Sequence, residues 1–202
     1  MDVWCAIRTY PDHATELGNV SPKEPVFFIK PTSSLVNFGE IDVSLGDIHH
    51  EVELVIKLGT DLKPVEMTVG LDLTRRSVQD NLKKSRLPWT EAKGFKNSAV
   101  IGDWVEYDSS ASVTLDINDK RVQDGSLEEM TWPIDKLIEK LSRWAPLTSG
   151  DILFTGTPAG VGILRHGDAV SYTHLRAHET GRKIVCRNLL EKKKCWWGGG
   201  GG

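Results

Sequence analysis

Several things are scarce in this chain. Three cysteines in 202 residues, Cys5, Cys186 and Cys195, are too few and too scattered to build a disulfide framework. No apolar run approaches the roughly 20 residues of a membrane span. No basic segment followed by an apolar core opens the chain, so no secretory leader is expected and a cytoplasmic location is. The glycine-rich stretch Gly156 to Gly162 is not followed by Gly-Lys-Ser/Thr, which excludes a nucleotide P-loop. A basic excess is missing too: 25 Lys and Arg stand against 28 Asp and Glu, a net charge of −3. Residues 171–202 carry seven Lys or Arg against two Glu, which leaves residues 1–170 at −8. A body that acidic has no electrostatic reason to bind nucleic acid. Membrane partners are not expected either.

What is present suits an ordinary enzyme-sized domain. Hydrophobic residues make up 39% and charged residues 26%, within the globular range, and the length suffices for one core. Short apolar strands are expected at Cys5–Arg8, Val26–Ile29, Ile48–Leu58 and Asp151–Thr155. Val113–Ile117 and Arg121–Val122 alternate around an Asn118-Asp119 turn, which predicts a hairpin. Helices are expected at Pro11–Leu17, Val78–Lys84 and Ile134–Trp144, the last with Ile134, Leu137, Ile138, Leu141 and Trp144 on one stripe. Strands dominate, which predicts an α+β, mainly β fold. From Ser171 the text changes to basic residues, Cys195-Trp196-Trp197 and five glycines, with no hydrophobic periodicity. Residues 1–170 are therefore read as the catalytic domain and 171–202 as a non-native, disordered tail. The competing reading is a basic tail binding nucleic acid or metal through His174 and His178.

The acidic residues are the most informative. In His49-His50-Glu51-Val52-Glu53-Leu54, period-two alternation puts Glu51 and Glu53 on one strand face and Val52 on the other. Asp72 sits in a second apolar stretch. Like charges on a buried face repel unless a cation lies between them, and oxygen-only ligands suit Mg²⁺, Mn²⁺ or Ca²⁺. On spacing alone a solvated edge strand is the commoner arrangement. His13 and Glu16 share one face of a helical turn, where the carboxylate can orient an imidazole acting as a base; surface pairs at this spacing are common. Lys93, among small and apolar neighbours, is either an oxyanion stabiliser or a snorkelling lysine. Arg76 and Gln79 follow Asp72 closely enough to line its pocket, for a substrate carboxylate and for a carbonyl or water. The backbone amides around Gly156 and Thr157 can approach an anion. His49 and His50 face opposite ways and are read as structural, and His166 as exposed.

These residues carry a resemblance. Glu24-Pro25-Val26-Phe27-Phe28-Ile29-Lys30-Pro31, the His-His-Glu-Val-Glu segment, Leu71-Asp72-Leu73-Thr74 with Arg76 and Gln79, Leu87-Pro88-Trp89 with Ala92-Lys93-Gly94-Phe95, and Thr155-Gly156-Thr157-Pro158-Ala159-Gly160 occur in the order found in the fumarylacetoacetate hydrolase family. The chain resembles its short single-domain branch, which includes acylpyruvate hydrolases. The resemblance implies a mixed β-sandwich roll and a homodimer. It implies Mg²⁺ or Mn²⁺ held by Glu51, Glu53 and Asp72, with His13, Glu16 and Lys93 catalytic and Arg76, Gln79, Gly156 and Thr157 binding a keto acid. The implied reaction is hydrolysis of the C–C bond of acylpyruvates to pyruvate and a carboxylic acid, with His13 taking a proton from the attacking water. The alternatives are an oxaloacetate decarboxylase or tautomerase, and a truncated inactive member. The chain departs from the family pattern at Ile7, where glycine is usual, and at Thr9, where asparagine is. Only Thr60–Thr68 separate the Glu-bearing and Asp-bearing strands. A helix of the family is therefore expected to be missing, with delivery of Asp72 impaired.

Overall fold

The alternation of apolar and polar side chains sets the architecture, which a computed structural model describes for residues 1–16, 18, 22–175 and 188–189. In chain order the strands are β1 Val3–Ala6, β2 Phe27–Lys30, β3 Leu35–Asn37, β4 Ile48–His50, β5 Val52–Leu58, β6 Pro64–Asp72, β7 Thr74–Arg75, β8 Ala99–Ile101 and β9 Val105–Glu106. They continue with β10 Ser112–Ile117, β11 Lys120–Ser126, β12 Ile152–Phe154, β13 Gly162–Ile163, β14 Ala169–Leu175 and β15 Asn188–Leu189. The helices are α1 Pro11–Glu16, α2 Arg76–Lys84, α3 Thr90–Lys93 and α4 Ile134–Ser142. The main sheet runs β2-β1-β12-β5-β6-β8-β3, with β9 also on β6; a second runs β11-β10-β14-β15 and a third β13-β4-β7. The fold is α+β and mainly β, as the sequence pattern predicts.

Alternation gives the main sheet two apolar faces. Leu54 and Ile56 of β5, with Met67, Val69 and Leu71 of β6, join the larger core, which also takes Val113, Leu115 and the α4 stripe Ile134, Leu137, Ile138 and Leu141. Val55 turns the other way and packs with Val3, Cys5, Ala99, Ile152 and Phe154. Glu51 and Glu53 continue the Val55 row. The two acids therefore belong to the smaller apolar face, whose low polarity sharpens their electrostatics.

The expected long strand over Ile48–Leu58 is broken at Glu51, because β4 pairs with β7 and β13 whereas β5 pairs with β6 and β12. Across from it, β6 ends at Asp72 and the chain re-enters the small sheet at Thr74. Both strands change sheets at one place, tied by the Asp72 amide donating to the Glu51 carbonyl at 2.9 Å. The short connection does not misplace Asp72, contrary to the sequence expectation: β5 and β6 form a direct hairpin with Val52 opposite Leu71 and Glu53 opposite Gly70. Gly70 is needed there, since a Cβ would lie 2.6 Å from Val55 and 2.7 Å from the Phe154 ring.

Other boundaries shift. The first strand is Val3–Ala6, not Cys5–Arg8, and α1 ends its described run at Glu16, with Leu17 outside the described residues. The Asn118-Asp119 hairpin forms, both residues at positive φ (52° and 62°), as a tight turn matched to strand twist requires. Trp144 does not extend the α4 stripe: it lies beyond the helix, 59% exposed, edge-on to Trp4 at 5.6 Å. No helix among the described residues is long and apolar enough to cross a membrane.

The boundary placed at Val170 falls inside β14, which pairs with β10 from Val170 opposite Ile117 to Leu175 opposite Ser112. Tyr172, 1% exposed, packs edge-on against Phe38 with ring centres 4.5 Å apart. The rest of the expected disordered tail, apart from the short β15, lies outside the described residues. A chain ended at Val170 exposes an unpaired edge on β10 and deletes a fully buried aromatic. Its urea unfolding free energy should therefore fall by about 3–5 kcal/mol, the usual cost of emptying such a position. A loss under about 1 kcal/mol would restore Val170 as the end of the fold.

Candidate active site

The two strand breaks put Glu51, Glu53 and Asp72 in one buried cluster, 5%, 2% and 2% exposed. One carboxylate oxygen from each lies within 4.8 Å of the others. Uncompensated, three buried charges this close would cost several kcal/mol each. Three cations answer them. Lys93, delivered by α3, donates from Nζ to Glu51 Oε2 at 2.8 Å and Asp72 Oδ2 at 2.6 Å, with the Phe28 ring 5.3 Å from its ammonium. Arg76, the first residue of α2, pairs with Glu51 Oε1. Lys30, fully buried at the end of β2, lies 2.8 Å from Asp72 Oδ1. The protons of Lys30, however, go to the carbonyls of Leu73, Lys93 and Ser98. Asp72 Oδ1 is consequently a buried oxygen without a hydrogen bond.

Titration follows from this arrangement. Burial pushes the Glu51 carboxyl upward, but Lys93 and Arg76 outweigh it and hold it below the usual glutamate range. Glu53 has no such cation. Burial, then Asp72, push its carboxyl well above the ordinary value, opposed mainly by the Gly156 amide, which donates to its Oε2 at 2.7 Å. Burial lowers Lys93, but Asp72 and Glu51 raise it further, so it stays charged.

The donor set fits a hard divalent cation: oxygen-only ligands, an orphaned Asp72 Oδ1, and a Glu53 carboxyl that lacks a charge partner. Lys93 stands between Glu51 and Asp72 as a monovalent counter-charge. The expected roles of the loop amides are partly taken by the protein itself, Gly156 on Glu53 and Gly160 on Glu16 Oε1 at 3.0 Å. Gly156 holds φ at +101° and presses so closely on Thr9 that a Cβ would lie 1.9 Å from its hydroxyl; only glycine suits that position.

His13 and Glu16 come together as the spacing predicts, Nδ1 lying 3.3 Å from Glu16 Oε2. Because the carboxylate only accepts, Nδ1 carries the proton and Nε2 is the basic nitrogen. Burial lowers the His13 pKa from 6.5, against the opposing pull of Glu51 and Glu16. His13, the three acids, Arg76, Gln79, Lys93, Gly156 and Thr157 all line one cleft. Ile7 and Arg8 line it as well, Arg8 at a positive φ of 54°.

Sequence reasoning missed two residues. Lys30 was visible only as part of the Phe-Ile-Lys-Pro motif, with nothing to say that its charge is buried against Asp72. Gln123, 1% exposed on β11, accepts from His50 Nδ1 at 2.9 Å and the Val52 amide at 3.1 Å, and donates to Thr157 Oγ1 at 2.8 Å and the Pro158 carbonyl at 2.9 Å. It thereby ties the second sheet to the strand of the acids and to the Thr157 loop. No local pattern marked it. His50 is structural through this bond, and neither His49 nor His50 belongs to the acidic cluster.

Comparison with known proteins places the chain in a family. The family model for the fumarylacetoacetate hydrolase C-terminal domain matches residues 2–183. An oxaloacetate tautomerase of Escherichia coli is 35% identical over 190 residues, covering 85% of this chain and 87% of that protein. A mitochondrial oxaloacetate decarboxylase of Dictyostelium discoideum is 35% identical over 182 residues, covering 81% and 84%. The solved fumarylpyruvate hydrolase of Pseudomonas aeruginosa, in complex with Mn²⁺ and pyruvate, superposes with a TM-score of 0.82 at 28% identity, over 95% of this chain and 90% of that one.

Glu53→Gln keeps the shape of the cluster and the Gly156 hydrogen bond but removes one ligand charge. Calorimetric titration with Mn²⁺ should show a dissociation constant raised at least tenfold. The melting temperature of the metal-free protein should not fall, because burial, Asp72 and Glu51, which oppose an ionised Glu53, do not act against a neutral amide. Unchanged Mn²⁺ affinity would remove the cluster as the cation site.

Proposed function

The chain belongs to the fumarylacetoacetate hydrolase family, and on that footing we propose that it is a divalent-metal-dependent enzyme of small 2-oxo acids that moves a proton between the keto and enol forms of an oxaloacetate-like substrate. The observation that carries this reading is the contrast between His13 and Lys93. His13 is a buried, neutral base with Nε2 unspent, whereas Lys93 and Arg76 are already committed to Glu51. Tautomerisation needs one base near carbon 3 of the substrate. Hydrolysis also needs a strong donor for a tetrahedral oxyanion, the role expected of Lys93, whose charge is already shared by Glu51 and Asp72. The names of the tautomerase and decarboxylase relatives support the same direction.

A bound Mg²⁺ or Mn²⁺ supplies a Lewis acid beside the acidic cluster. The rest is done by side chains. His13 Nε2 takes the proton from carbon 3 of the keto form, and the C–H electron pair becomes the C2–C3 double bond. The C2–O π pair moves onto the 2-oxygen at the same time, and the imidazolium, stabilised by Glu16, returns the proton to that oxygen, which completes the enol. Arg76 donates to Gln79 Oε1 at 2.7 Å, which turns the Gln79 amide so that its N–H groups remain for a substrate oxygen. Three carboxylates facing three cations leave no surplus negative charge, so a divalent cation makes the site positive and suited to an anionic substrate.

The second reading, hydrolysis of acylpyruvates, rests on the same His13–Glu16 pair acting on water and on the likeness to the fumarylpyruvate hydrolase. The Mn²⁺-loaded protein should ketonise enol-oxaloacetate with a larger kcat/KM than it cleaves acetylpyruvate; the reverse order would make the hydrolase reading the better one. His13→Ala should lower the tautomerase kcat by about 10²-fold or more. The base works only unprotonated and its pKa is lowered from 6.5, so the rate should be full above that pH and decline below it, with the inflection on the acid side of 6.5. A variant that retains this acid limb would show that another group titrates.

A further inference from the structure

The cleft is divided by depth. Its buried part, the floor, holds Glu51, Glu53 and Asp72 with Lys93 and Arg76 against them, and the less buried Arg8, Lys83 and Trp89 line it as well. Arg76, Gln79 and Lys83 stand at i, i+3 and i+7 on α2, one continuous stripe of helix surface, and all three line the cleft. The inner two serve the floor: Arg76 holds Glu51, and Gln79 is 3% exposed. Lys83 lies one turn further out, about 6 Å along the axis from Gln79 at a rise of about 1.5 Å per residue. It makes no ion pair among the described residues. Its ammonium stands 5.2 Å from the centre of the Trp89 ring, a contact that fixes a cation in place without cancelling its charge.

Lysines are favoured in the last turn of any helix by the backbone dipole, and Lys83 and Lys84 both occupy it. The two differ in direction, since Lys84 is exposed and Lys83 turns into the cleft wall. Burial first, then Arg76, Arg8 and Lys93, lower the Lys83 pKa against the opposing pull of Asp80. A half-buried lysine kept beside other cations, with an aromatic ring rather than a carboxylate against it, is arranged to meet an incoming anion.

We infer that Lys83, positioned by Trp89 and assisted by Arg8, binds the distal carboxylate of the substrate, so that the enzyme selects 2-oxo dicarboxylates over 2-oxo monocarboxylates. This inference rests on the keto-acid reading above and specifies its substrate class. One end of the substrate meets the acidic floor with its cation, and the other reaches the rim one helical turn away.

The test compares oxaloacetate with its 4-ethyl ester, which removes the distal charge and leaves carbons 1 to 3 unchanged. The Mn²⁺-loaded wild-type protein should favour the diacid in kcat/KM by about tenfold or more. Lys83→Met should reduce that preference to near unity, chiefly through KM, and Lys83→Arg should restore most of it. A wild-type protein without preference for the diacid, or a Lys83→Met variant that keeps it, would overturn the inference. So would an equal loss for both compounds, which marks a purely structural lysine. If the wild type turns over neither compound, the proposed reaction fails instead. The subsite is then read from calorimetric dissociation constants of the two compounds on the Mn²⁺-loaded wild type and variants, with the same ratios expected.

Discussion

Everything in this molecule is arranged around the cost of burying three carboxylates within 4.8 Å of one another. Such a cluster stands only if cations and amides meet it from several directions at once, and no single element supplies them. Lys30 arrives from β2, Lys93 from α3, Arg76 from α2 and the Gly156 amide from the loop after β12. The acids themselves lie where two paired strands leave the main sheet for the small one, so the edges that would ordinarily continue a ladder open into a cleft. The break, the close approach at Gly70 and the left-handed Gly156 are local costs that the cluster makes necessary.

Charge within the cluster is distributed unevenly, and chemistry follows from that. Glu51 is held ionised by two cations, whereas Glu53 has only an amide and is pushed toward its neutral form. Two of the three Lys93 N–H groups are held by Glu51 and Asp72, so most of the charge of the nearest strong donor to the floor is already shared. His13, fixed by Glu16, which is itself held by the Gly160 amide, is the one histidine among the described residues that line the cleft. Proton movement on carbon is what this set of parts serves with fewest additions.

The second sheet contributes more than a hydrophobic backing. Gln123 reaches from β11 to His50, Val52 and Thr157 in a fully buried network, so displacing it would disturb both the strand carrying the acids and the loop facing them. β14 closes the same sheet and buries Tyr172 against Phe38. It joins residues beyond Val170 to the core that supports the site.

Local pattern made much of this visible. Period-two alternation placed Glu51 and Glu53 on one face, the 3.6-residue stripe located α4, and the i, i+3 spacing paired His13 with Glu16. These are properties of a few neighbouring residues and need no knowledge of what lies across the chain. The ordered motifs added the family and with it the expected roles of distant residues. Where the reading went astray, the deciding contact was long-range. Nothing near Lys30 says that its charge meets Asp72, and nothing near Gln123 says that it bridges two sheets. The short Thr60–Thr68 connection looked damaging until the β5–β6 hairpin delivered Asp72 directly. The break at Glu51 depends on which sheet claims each half of the strand, and the fate of Ser171 to Leu175 on an open edge of β10. The sequence by itself determined which side chains share a face and which motifs they compose, because side-chain direction is set by backbone period. The tertiary structure decided which charges meet, because pairing energy depends on distances and burial that arise only when remote segments are packed together.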